Sequence, residues 1–146
     1  MKRMGKRVFK KLIAIEDPPR KIIRGFAMGS FIGMMPIPGA QMFVALTLSF
    51  VFGLNKKAAC IAVFNTNILT GAFVFAFNFW LGKQILGLRI NFEFPSRLGL
   101  SFIKSLFNVG SEVFLSMFVG GIVTGILAYG ISFYLLKVFF NHMEKK

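Results

Sequence analysis

Pro36-Ile37-Pro38-Gly39, with Gln41 close behind, is the stretch of this chain whose residue types could do chemistry, and that chemistry is binding. Two prolines withdraw two backbone donors and push Met35 and Ile37, which precede them, toward extended geometry. Gly39 permits a turn that other residues resist. A helix beginning at Gly39 presents the unpaired N–H groups of its first turn with the positive end of its dipole, and the Gln41 amide adds two donors. Inside a membrane cavity such donors take a phosphate or a carboxylate. Gly29 and Gly33, four apart on the preceding helix, share a bare face that either clears a path for a head group or packs against another helix. Asn65, Thr66, Asn67 and Thr70 follow at helical spacing. Asn67 and Thr70 either ligate a substrate beside the turn or hydrogen-bond between helices. Arg20, Lys21 and Arg24 stand at the mouth of the hairpin, where they attract an anionic head group.

What is missing narrows the chemistry further. Residues 25–55, 58–82 and 113–136 contain no Asp, Glu, His, Lys or Arg. Proton-coupled carriers and metal sites draw on such groups at membrane depth, so neither a metal nor a cofactor is expected. The one histidine, His142, lies in the charged tail, and no nucleophile stands beside a base. The chain reads as a binding protein, not an enzyme. Cys60 is the single cysteine, inside an apolar run, so it forms no intrachain disulfide and reads as a small core residue.

The elements that must position these residues are membrane elements. The chain is 55% hydrophobic with 20 Phe among 146 residues, and its mean hydropathy is +0.69. Each of the three uncharged runs is long enough to span a hydrocarbon core of ~30 Å at ~1.5 Å per residue. The expected class is an all-α integral membrane protein, one domain over residues 1–146. Residues 1–16 read as a basic amphipathic helix on the membrane surface, residues 17–87 as the motif-bearing core, and residues 113–140 as a C-terminal transmembrane helix. Asp17 is a candidate N-cap, with a proline in the first turn behind it. Residues 19–35 and 40–54 are each short for a full crossing. They form a re-entrant hairpin with the prolines at its tip, or alternatively two thin crossings. The 58–82 run supplies a further membrane helix. Residues 83–112 read as an extended piece followed by an interfacial helix. Pro38-Gly39-Ala40 is echoed by Thr70-Gly71-Ala72, which would mark a second hairpin if the two arms repeat. Gly121 and Gly125, beside Gly120, read as a packing or dimer face.

The net charge of +13 does not indicate nucleic acid, because the basic residues bracket the apolar runs. Residues 2–24 carry nine basic and two acidic side chains; residues 83–112 carry four and two. The positive-inside bias therefore predicts a multi-pass protein of the inner (cytoplasmic) membrane, with both termini cytoplasmic and the 83–112 segment outside. No cleavable signal peptide is seen, and the first uncharged run is expected to insert directly.

Gly25-x-x-x-Gly29-x-Phe31-Ile32-Gly33-x-x-Pro36-x-Pro38-Gly39-x-Gln41, with the Asn67-x-x-Thr70 pair, resembles the bacterial membrane family catalogued as domain of unknown function 2062. These motifs lie within residues 17–87. That family usually reads Asn-Pro-x-Thr in the second motif, whereas Ile68 follows Asn67 here, so no kink is implied at that point. The Pro-x-Pro-Gly turn is also similar to that of the DedA-type lipid translocases, whose re-entrant hairpins handle polyprenyl-phosphate or phospholipid head groups. The resemblance implies lipid handling at Gly29, Gly33, Pro36, Pro38, Gly39, Gln41, Asn67 and Thr70. It also suggests a membrane glycosyltransferase acting on polyprenyl phosphate as a partner.

Two functions follow as expectations. In the first, the chain binds an anionic lipid head group at the turn, with Arg24 at the mouth, and translocates it. Too few elements are present to seal a path within one protomer, so a homo-oligomer is implied. In the second, it is a structural or adaptor subunit whose hairpin and glycine faces dock a membrane partner.

Overall fold

The structure, a computed structural model, describes residue 12 and residues 14–37, 39–64, 68–88 and 100–144. Among these the chain is all-helical, in five helices: α1 (Pro19–Gly33), α2 (Gln41–Val51), α3 (Lys56–Val63), α4 (Ile68–Leu86) and α5 (Leu100–Glu144). The expected surface helix of residues 1–16 lies almost wholly outside the described residues.

Pro19 occupies the first turn of α1, where its missing N–H costs nothing. The N-cap is Pro18, with no side-chain bond, so Asp17 does not cap this helix. Asp17 instead accepts a hydrogen bond from the Asn55 amide. Asn55 in turn caps α3, its Oδ1 accepting the Ala58 N–H at 2.7 Å. The Asn55 N–H also reaches the Lys21 carbonyl at 3.2 Å. These bonds fold the α1–α2 hairpin back on itself, so residue 55 lies beside the start of α1. The return is set by Gly53. Its φ of +61° ends α2 in a left-handed cap, with Leu54 N–H on the Ser49 carbonyl at 2.8 Å and Gly53 N–H on Phe50 at 3.2 Å.

α1 is the central helix. It buries Ile22, Ile23, Phe26, Ala27, Ser30 and Ile32, packing against α3 on one side and α5 on the other. Leu12, Ala58, Ala62 and Leu136 complete the cluster around Ile22, Ile23 and Phe26. Where lipid is the surroundings, apolar burial alone gives little reason for helices to associate, and close backbone approach matters more. A Cβ at Gly25 would collide with the Asn55 carbonyl, and one at Gly29 with the Ala59 carbonyl. Gly82 and Gly120 do the same for α4 and α5, lying against Ser116 and Asn78 respectively. Residue pairs 25/55 and 29/59 run parallel, whereas 82/116 and 78/120 run antiparallel. The C-terminal half of α5 therefore lies along α1, and its earlier part accompanies α4.

Three sequence expectations change. The 58–82 run is not one helix, since α3 ends at Val63 and α4 begins at Ile68. Residues 100–112 are no separate interfacial helix: they continue into the apolar stretch as one helix of 45 residues, ~67 Å long. Within it, Gly110–Met143 is long and apolar enough to cross a membrane, with a mean hydropathy of 1.9 in its most apolar window. Gly71 lies inside α4, so no second proline-type turn stands at the echoed Thr-Gly-Ala.

Candidate functional site

The hairpin tip is where the chain breaks its own hydrogen bonding. In a continuous helix the carbonyls of Ile32, Met34 and Met35 would accept from residues 36, 38 and 39. Two of those residues are prolines, with no N–H to give. Each carbonyl finds another donor. Ile32 takes the Met35 N–H at 3.0 Å. Met34 takes the Asn78 amide at 2.8 Å, from α4. Met35 takes the Gln41 amide at 2.7 Å and the Ile37 N–H at 2.9 Å. Asn78 is fully buried and doubly engaged, since its Oδ1 accepts from Thr124 of α5 at 2.7 Å. One amide thus joins the turn, α4 and α5. Gly121 makes the room: a Cβ there would stand 3.0 Å from the Met34 carbonyl and 3.4 Å from the Pro36 ring.

Beyond the tip, Gly39 holds φ +85°, and it and Ala40 are exposed. α2 starts at Gln41 with Ala40 as N-cap, two residues later than the sequence suggested. Its first turn carries no acidic residue.

The opposite end of α1 is built differently. Pro18, Pro19, Arg20 and Arg24 face Lys137 and Asn141 of α5 across a cleft of about 570 Å³, whose apolar walls are Ile23, Phe133 and Phe140. Arg20 and Arg24, four apart, share one face of α1, as Lys137 and Asn141 do on α5. Among the described residues, no carboxylate lines the cleft. The space continues. A second hollow of about 420 Å³ shares Arg24 and Phe133 with the first and adds Met28, Phe52, Leu54 and Tyr129. A third, of about 270 Å³, shares Met28 and Tyr129 with the second and is closed by Phe31 and Ile126. Together they form one groove between α1 and α5, basic at its mouth and apolar along its length. It stops beside the turn, where a Cβ at Gly125 would touch the Phe31 ring at 2.8 Å.

The profile of a bacterial family described as uncharacterized protein conserved in bacteria (DUF2062) matches residues 2–146. The chain belongs to that family. The match runs well beyond the motif-bearing residues 17–87. No curated protein and no solved structure matches the chain.

In this DUF2062 chain the site residues inferred from sequence fall into separate places. Gly29 packs on Ala59 and Ala62 of α3, so its bare face is a helix contact. Gly33 closes α1 and is buried, as is Pro36. Gln41 reaches back to hold the turn. Arg24 lies at the other end of α1, in the basic cleft, and is not brought to the turn. Pro38 and Asn67 lie outside the described residues, and Thr70 is placed only as part of α4. The glycines at 120, 121 and 125 are packing positions within the chain. Among the described residues, no group of three or more His, Cys, Asp and Glu is placed to hold a metal.

Sequence reasoning missed Asn78, Thr124 and Lys137. For Asn78 a signal existed: an apolar run with one well-separated amide, in a chain whose prolines leave carbonyls without donors, points to where that amide is needed. Lys137 carries no such signal, since a lysine after an apolar run reads as a membrane anchor.

Proposed function

We propose that this chain is a membrane protein that binds the anionic head group of a lipid, and that the basic cleft receives it. The observation that carries this reading is the convergence of Arg20, Arg24 and Lys137 on one cleft with no carboxylate among the described residues of its lining. Large exposed apolar side chains support a membrane setting, Phe43 at 73%, Phe50 at 70% and Phe73 at 79% exposure among them. The cleft shares its end of the structure with the 55–57 loop and the C-terminal end of α5, the cytoplasmic side by the positive-inside bias.

The turn keeps a part in the proposal, as an inner station. Gly39 and Ala40 leave the start of α2 open to an anion, and the Gln41 amide retains one N–H beyond that given to Met35. Translocation between cleft and turn, by a homo-oligomer whose neighbouring copies close the path, is part of the same reading. Native mass spectrometry of the protein released from mixed-lipid nanodiscs tests it. Phosphatidic acid should be retained over phosphatidylcholine, and a protein carrying both Arg24→Gln and Lys137→Gln should lose that preference. Equal retention of the two lipids by the unaltered protein would sink the proposal.

The adaptor reading is favoured by a different observation. The outer face of α2 exposes Met42, Phe43, Phe50 and Val51, while only Ala45 and Ser49 of that helix are buried. A membrane partner such as the glycosyltransferase suggested by the resemblance would cover that face. Loss of co-purification on Phe43→Ala with Phe50→Ala, and retained lipid selectivity, would separate the two.

A further inference from the structure

We infer that the groove between α1 and α5 holds the hydrocarbon chain of a lipid phosphate monoester whose phosphate sits among Arg20, Arg24 and Lys137. The inference rests on the head-group reading above and deepens it from a charge preference to a ligand class. Continuity is its first support. The basic cleft, the hollow behind it and the apolar end share lining residues two by two, so they follow one another along one face of the molecule. The walls are two helical stripes. Arg24, Met28 and Phe31 recur at helical spacing on α1, and Ile126, Tyr129 and Phe133 do so on α5.

Polarity falls in one direction only. The mouth holds three cations, the middle keeps Arg24 alone, and the far end is lined by Met28, Phe31, Ile126 and Tyr129. That is the polarity profile of a lipid, head to tail. From Arg20 to Phe31, and equally from Lys137 to Ile126, the walls run ~16 Å, the depth of one bilayer leaflet. The volumes shrink from about 570 to 420 to 270 Å³ along that path, which suits one chain and not a bundle of them. The head is defined by the cations. A phosphate monoester carries close to two negative charges near neutral pH and three acceptor oxygens, and arginine forks match that geometry. A zwitterionic head would press its own cation against Arg20 and Arg24. The groove end lies against the turn, so an occupied groove packs the chain terminus beside Phe31 and Gly125.

The experiment uses the full chain in phosphatidylcholine nanodiscs with three probes: lysophosphatidic acid, the monoacylglycerol of the same acyl chain, and inorganic phosphate. Native mass spectrometry should show lysophosphatidic acid retained at least about tenfold better than either of the others. A benzophenone amino acid in place of Phe52, at the exposed rim of the middle hollow, should yield the lysophosphatidic acid adduct on irradiation. Met28→Trp should cut retention about tenfold, with Ile126→Trp as the second filling variant should the first prove unstable by thermal melting. Retention unchanged in both filled variants overturns the groove. Inorganic phosphate held as well as lysophosphatidic acid leaves the groove without a role and overturns it too. The two readings fail differently. If the Arg24→Gln, Lys137→Gln protein loses binding while the filled variants keep it, the head-group reading stands and the groove falls. If monoacylglycerol binds as well as lysophosphatidic acid, the head-group reading falls.

Discussion

The two ends of α1 handle polar groups in opposite ways. At the turn, the carbonyls of Ile32, Met34 and Met35 are each met by a donor of the same chain, one of them from a helix 44 residues away. At the cleft, three cations gather and, among the described residues, no carboxylate lines the space to answer them. Buried polar groups left unpaired are costly, so a sealed cluster is an element of structure. Cations held together without an internal partner gain from a ligand that brings the missing charge. The sequence drew attention to the turn because prolines in an apolar run are conspicuous. The chemistry that is left over lies at the other end.

Substitutions at the two ends should therefore separate stability from binding. The largest effect is expected from Asn78→Ala, which strands the Met34 carbonyl in a closed site at a cost of ~1–3 kcal/mol of stability, while the Thr124 hydroxyl falls back on the Gly120 carbonyl at 3.1 Å. Chemical denaturation in detergent measures it. A normal midpoint would mean that water or another donor replaces the amide and that the turn is not sealed. Next, Arg24→Gln with Lys137→Gln should weaken retention of phosphatidic acid about tenfold to a hundredfold, as loss of charge-assisted bonds does. The same protein should melt within a few degrees of the unaltered one, because exposed positions carry little stability. A large loss of stability there would make the cleft structural and erase the contrast. Smaller again is Gly39→Leu, which forces a side chain into φ +85° at a cost of ~1–2 kcal/mol. No neighbour stands within 4 Å of the new Cβ, so strain alone is read out. Gln41→Ala should be the mildest, ~1 kcal/mol, since the Met35 carbonyl keeps the Ile37 N–H. If Gln41→Ala instead slows lipid transfer between leaflets in a reconstituted assay while leaving stability alone, the inner-station role of the turn gains and the sealed description loses.

Much of the architecture was legible in the residue pattern. Charge-free runs marked the apolar helices, and Pro36 and Pro38 marked the end of α1 to within two residues of Gly33. The hairpin return was legible from Lys56 and Lys57, and Asn55 confirms it through Lys21 and Asp17. What could not be read were partnerships at long range. Gly29 offers a bare face whatever it meets; only the fold shows Ala59 there. Asn78 stands among phenylalanines with nothing local to say that its partner is Met34. Helix limits were misjudged where charge was taken for a boundary. Glu112 borders the uncharged run of residues 113–136 but does not end α5, and Lys104 also lies within it, because both residue types favour a helix. Conversely, the uncharged run 58–82 was read as one membrane helix, although one helix ends at Val63 and the next begins at Ile68. The cleft needed both halves of the chain: Arg20 and Arg24 precede Lys137 by more than a hundred positions.

The Asn78 bond also has a history during synthesis. The Met34 carbonyl is made 44 residues before the amide that closes it, and Thr124 follows 46 residues after that. At translation rates of ~5–20 residues per second, the hairpin waits on the order of seconds with one acceptor open, and about as long again before the second bond can form. A hairpin in that state must borrow a partner, from water or from whatever shelters the nascent chain. Nascent chains arrested with residue 70 just emerged should therefore be cut by protease near the turn, and chains arrested beyond residue 130 should resist it; equal protection at both lengths would show that the turn seals without α4.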